Sequence, residues 1–167
     1  MMRILSVTAG WCSMADVKDV KSRSYNMSQI RNKDTSPERI VRNLLASTPH
    51  IYKCNACELF GTPDIVFPEM KAVIFVNGCY WHGHDCHLFR LPKSNSKFWK
   101  DKIRSNILRD IAVRNYYVKS DWRQLVIWEC AIKGKDRYTS DALLRLLEDW
   151  LYTRCGYNEI RGIQCNS

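Results

Sequence analysis

The stretch GCYWHGHDCHLF, residues 78–89, packs two cysteines, three histidines and an aspartate into twelve residues. Groups this polar and thiol-rich are costly to bury one by one, and Cys and His at short spacing are what a tetrahedral metal shell needs. The stretch offers Cys79, His82, His84, Cys86 and His87, more donors than one zinc ion takes. A fourth ligand often comes from a distant strand, and Cys130, ending QLVIWEC, suits that role. Cys54-x-x-Cys57 is a rival half-site in an irregular segment ahead of the first strand, while Cys12, Cys155 and Cys165 look incidental.

The rest of the chain sets the surroundings. Its 167 residues are enough for one domain with a real core. Lys and Arg number 26 against 17 Asp and Glu, a formal +9, and such a surplus points to a polyanionic partner, usually nucleic acid. No apolar run approaches the ~18 residues that cross a bilayer, so no membrane association is expected. MMRILSVTAGWC has no convincing signal-peptide pattern. Residues 1–13 are expected to be a disordered extension, 14–155 the folded domain and 156–167 a C-terminal tail. A cytosolic setting favours metal ligation over disulfides for the eight cysteines.

Periodicity orders the elements. In DTSPERIVRNLLAS, Ser36 is the expected cap, Pro37 the first-turn residue and Glu38 a dipole-favoured acid. GTPDIVF and KAVIFVNG read as two strands around a turn at residues 68–70. FWKDKIRSNILRDIAV reads as a helix with Trp99, Ile103, Ile107 and Ile111 in one stripe, and Asp110 beside it. QLVIWEC is a buried strand, and SDALLRLLEDWLYTR a helix capped by Ser140 and stopped at Gly156. The sum is one α/β domain around a mixed central sheet flanked by helices.

Pro63–Asp64 opens the first of the paired strands. A carboxylate rigidly held there suits Mg²⁺, which takes oxygen ligands. PD is the weak signature of restriction-endonuclease-like, PD-(D/E)XK-related folds, yet the expected acid and lysine are missing from Phe75–Val76–Asn77–Gly78.

A narrower comparison removes that difficulty. PDIVFPEMKAVIFVNGCYWHGHDCHLF, with NMSQIRNKDTSPE before it and FWKDKIRSNILRD and VIWEC after it, resembles the very-short-patch-repair (Vsr) endonucleases over roughly residues 14–151. The resemblance implies a restriction-endonuclease-like fold with a structural Zn²⁺ site and a catalytic Mg²⁺. It implies Mg²⁺ ligation by Asp64 and the Val76 carbonyl, acid/base work by His82, and a site lined by Glu38 and Asp110. Zinc falls on Cys79, His84, Cys86 and Cys130. Tyr80, Trp81 and Trp99 match the family's DNA wedge, and Asn26 and Met27 its N-terminal DNA-gripping arm. Asn77 stands where well-known members carry a histidine, and Val76 where they carry threonine; asparagine can orient a phosphate or water but cannot shuttle a proton.

The activity implied is nicking 5′ to the thymine of a T:G mismatch left by deamination of 5-methylcytosine. A Vsr-like restriction or nicking enzyme acting on paired DNA is the alternative, as is a catalytically impaired zinc-stabilised DNA-binding module. The family further implies a monomer on double-stranded DNA, a cytosine-5 methyltransferase and mismatch-repair proteins as partners, and a bacterial cytoplasmic setting at the nucleoid.

Overall fold

The computed structural model describes residues 33–153 and 155–163. The expected N-terminal extension and the arm at Asn26 and Met27 lie outside the described residues.

Helix α1 (Ser36–Leu45) begins with a reciprocal cap. Thr35, in extended backbone, accepts from the Glu38 amide at 3.5 Å, and its hydroxyl donates to Glu38 Oε1 at 2.7 Å. The Asp34 amide donates to Glu38 Oε2 at 2.9 Å. The cap is therefore Thr35 and not Ser36, because T-x-x-E is the spacing at which the cap and an acid at the third helical position satisfy each other. The same one-residue correction holds for α4 (Ser140–Tyr152), where Thr139 accepts from the Ala142 amide.

Among the described residues, five strands follow in spatial order β1-β2-β3-β4-β5. They are β1 (Lys53–Cys54), β2 (Ile65–Phe67), β3 (Ala72–Asn77), β4 (Arg123–Trp128) and β5 (Tyr157–Ile160). The β1–β2 and β2–β3 pairs are antiparallel, while β3–β4 and β4–β5 are parallel. Parallel neighbours need crossovers. Helix α2 (Ser96–Lys119) supplies one, and the short α3 (Glu129–Ile132) with α4 supplies the other. The segment expected to be a tail from residue 156 thus contributes β5. Its pairing partner lies some thirty residues upstream (Gln124↔Tyr157 to Ile127↔Ile160), so no local pattern announces it.

Alternation distributes the strands between two cores. Ile65, Phe67, Ala72, Ile74, Leu125 and Ile127 pack with Val41 and Leu45 of α1 and Leu143, Leu147 and Trp150 of α4. Val66, Val73 and Phe75 face Val113 and Tyr117 of α2. Helix α2 is longer than expected, and its stripe differs: Ile103 is buried, but Ile107 and Ile111 are 36% and 50% exposed. These two residues line a cleft rather than the core. No helix among the described residues is long and apolar enough to cross a membrane.

Candidate active site and metal centre

The register of the central strands assembles the metal-ligand cluster. Asn77 of β3 pairs with Trp128 of β4 in a parallel ladder, so both strands end at the same edge. Cys79 and Cys130 each follow two residues later and meet there. The Cys130 amide donates to Cys79 Sγ at 3.3 Å. The loop from Gly78 folds back through His84 N–H to Cys79 carbonyl (3.0 Å) and Cys86 N–H to His84 carbonyl (2.9 Å). The donor atoms of Cys79, His84, Cys86 and Cys130 come within 4.8 Å of one another, and His84 Nδ1 lies 3.6 Å from Cys130 Sγ. Cys130, expected at a strand end, sits on the one-turn helix α3.

The surplus of donors resolves by geometry. His82 turns to α2, where its Nδ1 is 2.5 Å from Asp110 Oδ2. His87 lies 2.8 Å from Asp136. Gly83 makes the opposed directions of His82 and His84 possible: its φ is +61°, and a Cβ there would come within 2.9 Å of Ile103. Cys54 and Cys57 remain exposed free thiols, and neither joins the four-residue group.

The cluster is chemically suited to a soft or borderline cation. Burial, then the neighbouring sulfurs, push the Cys79 thiol well above its ordinary range, and burial also raises Cys130. Burial, reinforced by Arg161, lowers His84, keeping its imidazole neutral and free to ligate. Three close thiolates without a cation would be unfavourable, and a metal ion removes that cost.

The carboxylate centre lies at the start of β2. Asp64 is fixed through its backbone by Asp64 N–H to Ile74 carbonyl (3.1 Å) and Asn55 N–H to Asp64 carbonyl (3.0 Å). Its Oδ2 accepts from the Val76 amide at 2.7 Å. Burial raises Asp64 to about 7, helped by the Glu38 carboxylate and opposed by the Val76 bond, Arg42 and His82. The Glu38 carboxylate and the His82 imidazole thus both bear electrostatically on Asp64. Glu38 is itself only 4% exposed, with both carboxylate oxygens occupied by the cap. Arg42, one turn further on α1, was not singled out from sequence; it contacts Asp34 and bears on Asp64.

Asn77, His82 and Asp110 share a cleft of about 410 Å³ between α2 and the β4–β5 edge, with Gln124, Trp128 and Tyr157 among its other walls. Tyr80, Trp81 and Trp99 form one aromatic group, with ring centroids 5.1–6.1 Å apart, and all three are half-buried. Trp99 thus belongs with Tyr80 and Trp81, off the core stripe of α2. The Trp81 carbonyl accepts from Asn106 of α2 at 2.8 Å, which ties the loop to the helix. Trp128, the β5 residues Tyr157 and Glu159, and Arg161 just beyond that strand were not singled out from sequence, since β5 takes its order from a partner strand some thirty residues upstream.

Fold and site together define a basic α/β domain in which a carboxylate–histidine centre abuts a Cys₃His metal-ligand cluster. The family model described as DNA mismatch endonuclease Vsr matches residues 15–88. The chain is 39% identical over 143 residues to the DNA mismatch endonuclease Vsr of Escherichia coli (strain K12), spanning 86% of this chain and 90% of that protein. It is 40% identical over 136 residues to the type II nicking enzyme V.XorIIP of Xanthomonas oryzae pv. oryzae, covering 81% and 98%. It is 38% identical over 138 residues to the type II nicking enzyme V.NmeAIP of Neisseria meningitidis, covering 81% and 99%. The chain belongs to the Vsr DNA mismatch endonuclease family.

Proposed function

We propose that this protein is a Mg²⁺-dependent, strand-specific DNA endonuclease of restriction-endonuclease-like fold that nicks 5′ to the thymine of a T:G mismatch. The observation that carries this reading is the arrangement of Asp64 and the Asp110-tethered His82 in a chain of this family. Asp64 and the Val76 carbonyl would hold Mg²⁺, which when bound supplies positive charge to the pentacoordinate phosphate and the leaving 3′-oxygen. Asp110 holds Nδ1 of His82, so Nε2 is the atom that takes a proton from the attacking water. Glu38 and Arg42 set the field around Asp64. Asn77, in the cleft beside His82, orients a water or phosphate. The products are 3′-hydroxyl and 5′-phosphate ends.

Zn²⁺ is the metal we assign to Cys79, His84, Cys86 and Cys130, in a structural role. It anchors the loop that carries both His82 and the wedge. Tyr80, Trp81 and Trp99 enter the base stack beside the mismatch, where a T:G pair costs less to distort than a Watson–Crick pair. We assign the endonuclease domain to residues 14–155 together with β5, acting as a monomer on bacterial DNA in the cytoplasm. Asn26 and Met27 belong to the DNA-gripping arm.

The nicking enzymes among the relatives favour one second reading, a site-specific nickase acting on paired DNA. Labelled duplexes differing only in T:G, T:A or C:G at one position, incubated with Mg²⁺ or EDTA, separate the two. Nicking confined to T:G with Mg²⁺ is expected. Equal cutting of all three would establish the paired-DNA nickase instead.

A further inference from the structure

The four-residue metal shell does not account for Trp128, for Glu159, or for the way β5 meets the cluster. The Trp128 indole lies flat on the His84 imidazole, centroids 4.0 Å apart and 13° from parallel. Stacking fixes the distance between two rings but leaves each free to slide and turn in its own plane. Here an edge tether limits that freedom: Trp128 Nε1–H donates to Glu159 Oε2 at 2.9 Å. Glu159 is in turn held by the Tyr157 hydroxyl and by Arg161, 2.8 Å away. At the cluster itself the Gly162 amide donates to Cys130 Sγ at 3.3 Å. The Ile163 amide then bonds the Asp136 carbonyl at 2.7 Å.

We infer that Trp128 and Glu159 are a positioning pair for the metal centre, setting the plane of His84, and that β5 with Gly162 forms the outer wall of that centre. The inference rests on the reading of Cys79, His84, Cys86 and Cys130 as metal ligands. Outer-shell partners of a ligating imidazole usually bond its second nitrogen directly. His84 Nε2 is buried with no hydrogen-bond partner among the described residues, so here a stacked, tethered indole does the orienting. The strand that supplies the tether is also the last segment of the described sheet. Metal uptake and the docking of β5 are therefore coupled.

The test uses the full chain, stripped of metal by a chelator and titrated with Zn²⁺ against a chromophoric competitor, and with Co²⁺ to read the d–d absorption. Trp128→Phe keeps the stack and loses the N–H, Glu159→Ala removes the acceptor, and Glu159→Gln retains one. Trp128→Phe and Glu159→Ala should weaken Zn²⁺ binding by about 10-fold to 100-fold and alter the Co²⁺ band shape, while Glu159→Gln recovers most of the affinity. A purely structural role would lower thermal stability with and without metal alike and leave affinity within about twofold of wild type, and that result overturns the proposal. Hydrogen exchange on the wild type covers the case of a variant that does not fold. Zn²⁺ should slow exchange in residues 157–163 more than in α4, and equal slowing overturns the coupling. Failure of the wild type to take up either ion would overturn the metal centre itself, a distinct outcome from unchanged affinity in the variants.

Discussion

In the proposed mechanism Asp64 meets two opposed demands, burial for rigidity and negative charge for a divalent cation. Without metal, burial wins and the carboxyl titrates at about 7 in place of its ordinary 3.8. A group raised in the folded state stabilises the fold fully below about pH 4, and that contribution is lost as pH climbs through about 7. The shift amounts to roughly 4 kcal/mol at most. Metal-free Asp64→Asn should therefore melt several degrees above wild type at pH 8 and show a flatter profile from pH 4 to 7. Parallel profiles in calorimetry would contradict the burial of this charge. The same substitution should abolish nicking while DNA binding persists. Because protons and the cation compete for Asp64, nicking at limiting Mg²⁺ should rise with pH up to about 7. At His82 the demand is orientation. Asp110→Asn keeps the shape of the tether to Nδ1 and removes its charge, so kcat should fall by about 10-fold to 100-fold with KM little changed. A KM effect alone would mean that Asp110 serves DNA binding.

Among the elements, what could be read from sequence was what local patterning encodes. Ile65, Val73 and Ile74 announce the hairpin by composition, and Val41 with Leu45 announces α1 by spacing. The four metal-cluster residues come together where the resemblance placed them, because parallel β3 and β4 end side by side. Spacing alone left His82 and His87 as rivals, and only Asp110 and Asp136, distant in sequence, separate them. The caps fell one residue off, since Thr and Ser at adjacent positions offer equivalent hydroxyls and only backbone geometry selects between them. Strand β5 was illegible because four residues of mixed polarity gain their order from a partner some thirty residues away. Gly162 shows what that order requires: an added Cβ would lie 2.7 Å from the Cys130 carbonyl oxygen and 2.9 Å from that of Asp136, both backbone atoms. Gly162→Ala should cost about 1–3 kcal/mol by overpacking, read as a lower melting temperature. An unchanged melting temperature would mean that this edge yields easily. In the wedge, Trp81→Ala should reduce the preference for T:G over T:A while Mg²⁺-dependent hydrolysis continues; an unaltered preference would remove Trp81 from recognition.

At the scale of the molecule, a net charge of +9 implies a large electrostatic share in DNA binding, with affinity falling steeply and log-linearly as salt rises. Charge of that kind brings the protein to any duplex. In the proposed reading, selectivity comes from the aromatic group and the loop that bears it, which the Cys79, His84, Cys86 and Cys130 cluster ties to the end of the sheet. The architecture divides the residues accordingly: α1, β2 and β3 fix the Asp64 carboxylate, α2 fixes His82, and β4, α3 and β5 border the Cys79, His84, Cys86 and Cys130 cluster. The central claim, that this frame directs hydrolysis to a mismatch, is tested most directly by competition. Two duplexes of one sequence, differing only in T:G against T:A and carrying different labels, are nicked in one tube under single-turnover conditions with Mg²⁺. The T:G duplex should be cut at least about 100-fold faster, as a mismatch-selective distortion of a few kcal/mol requires. Equal rates would contradict the account.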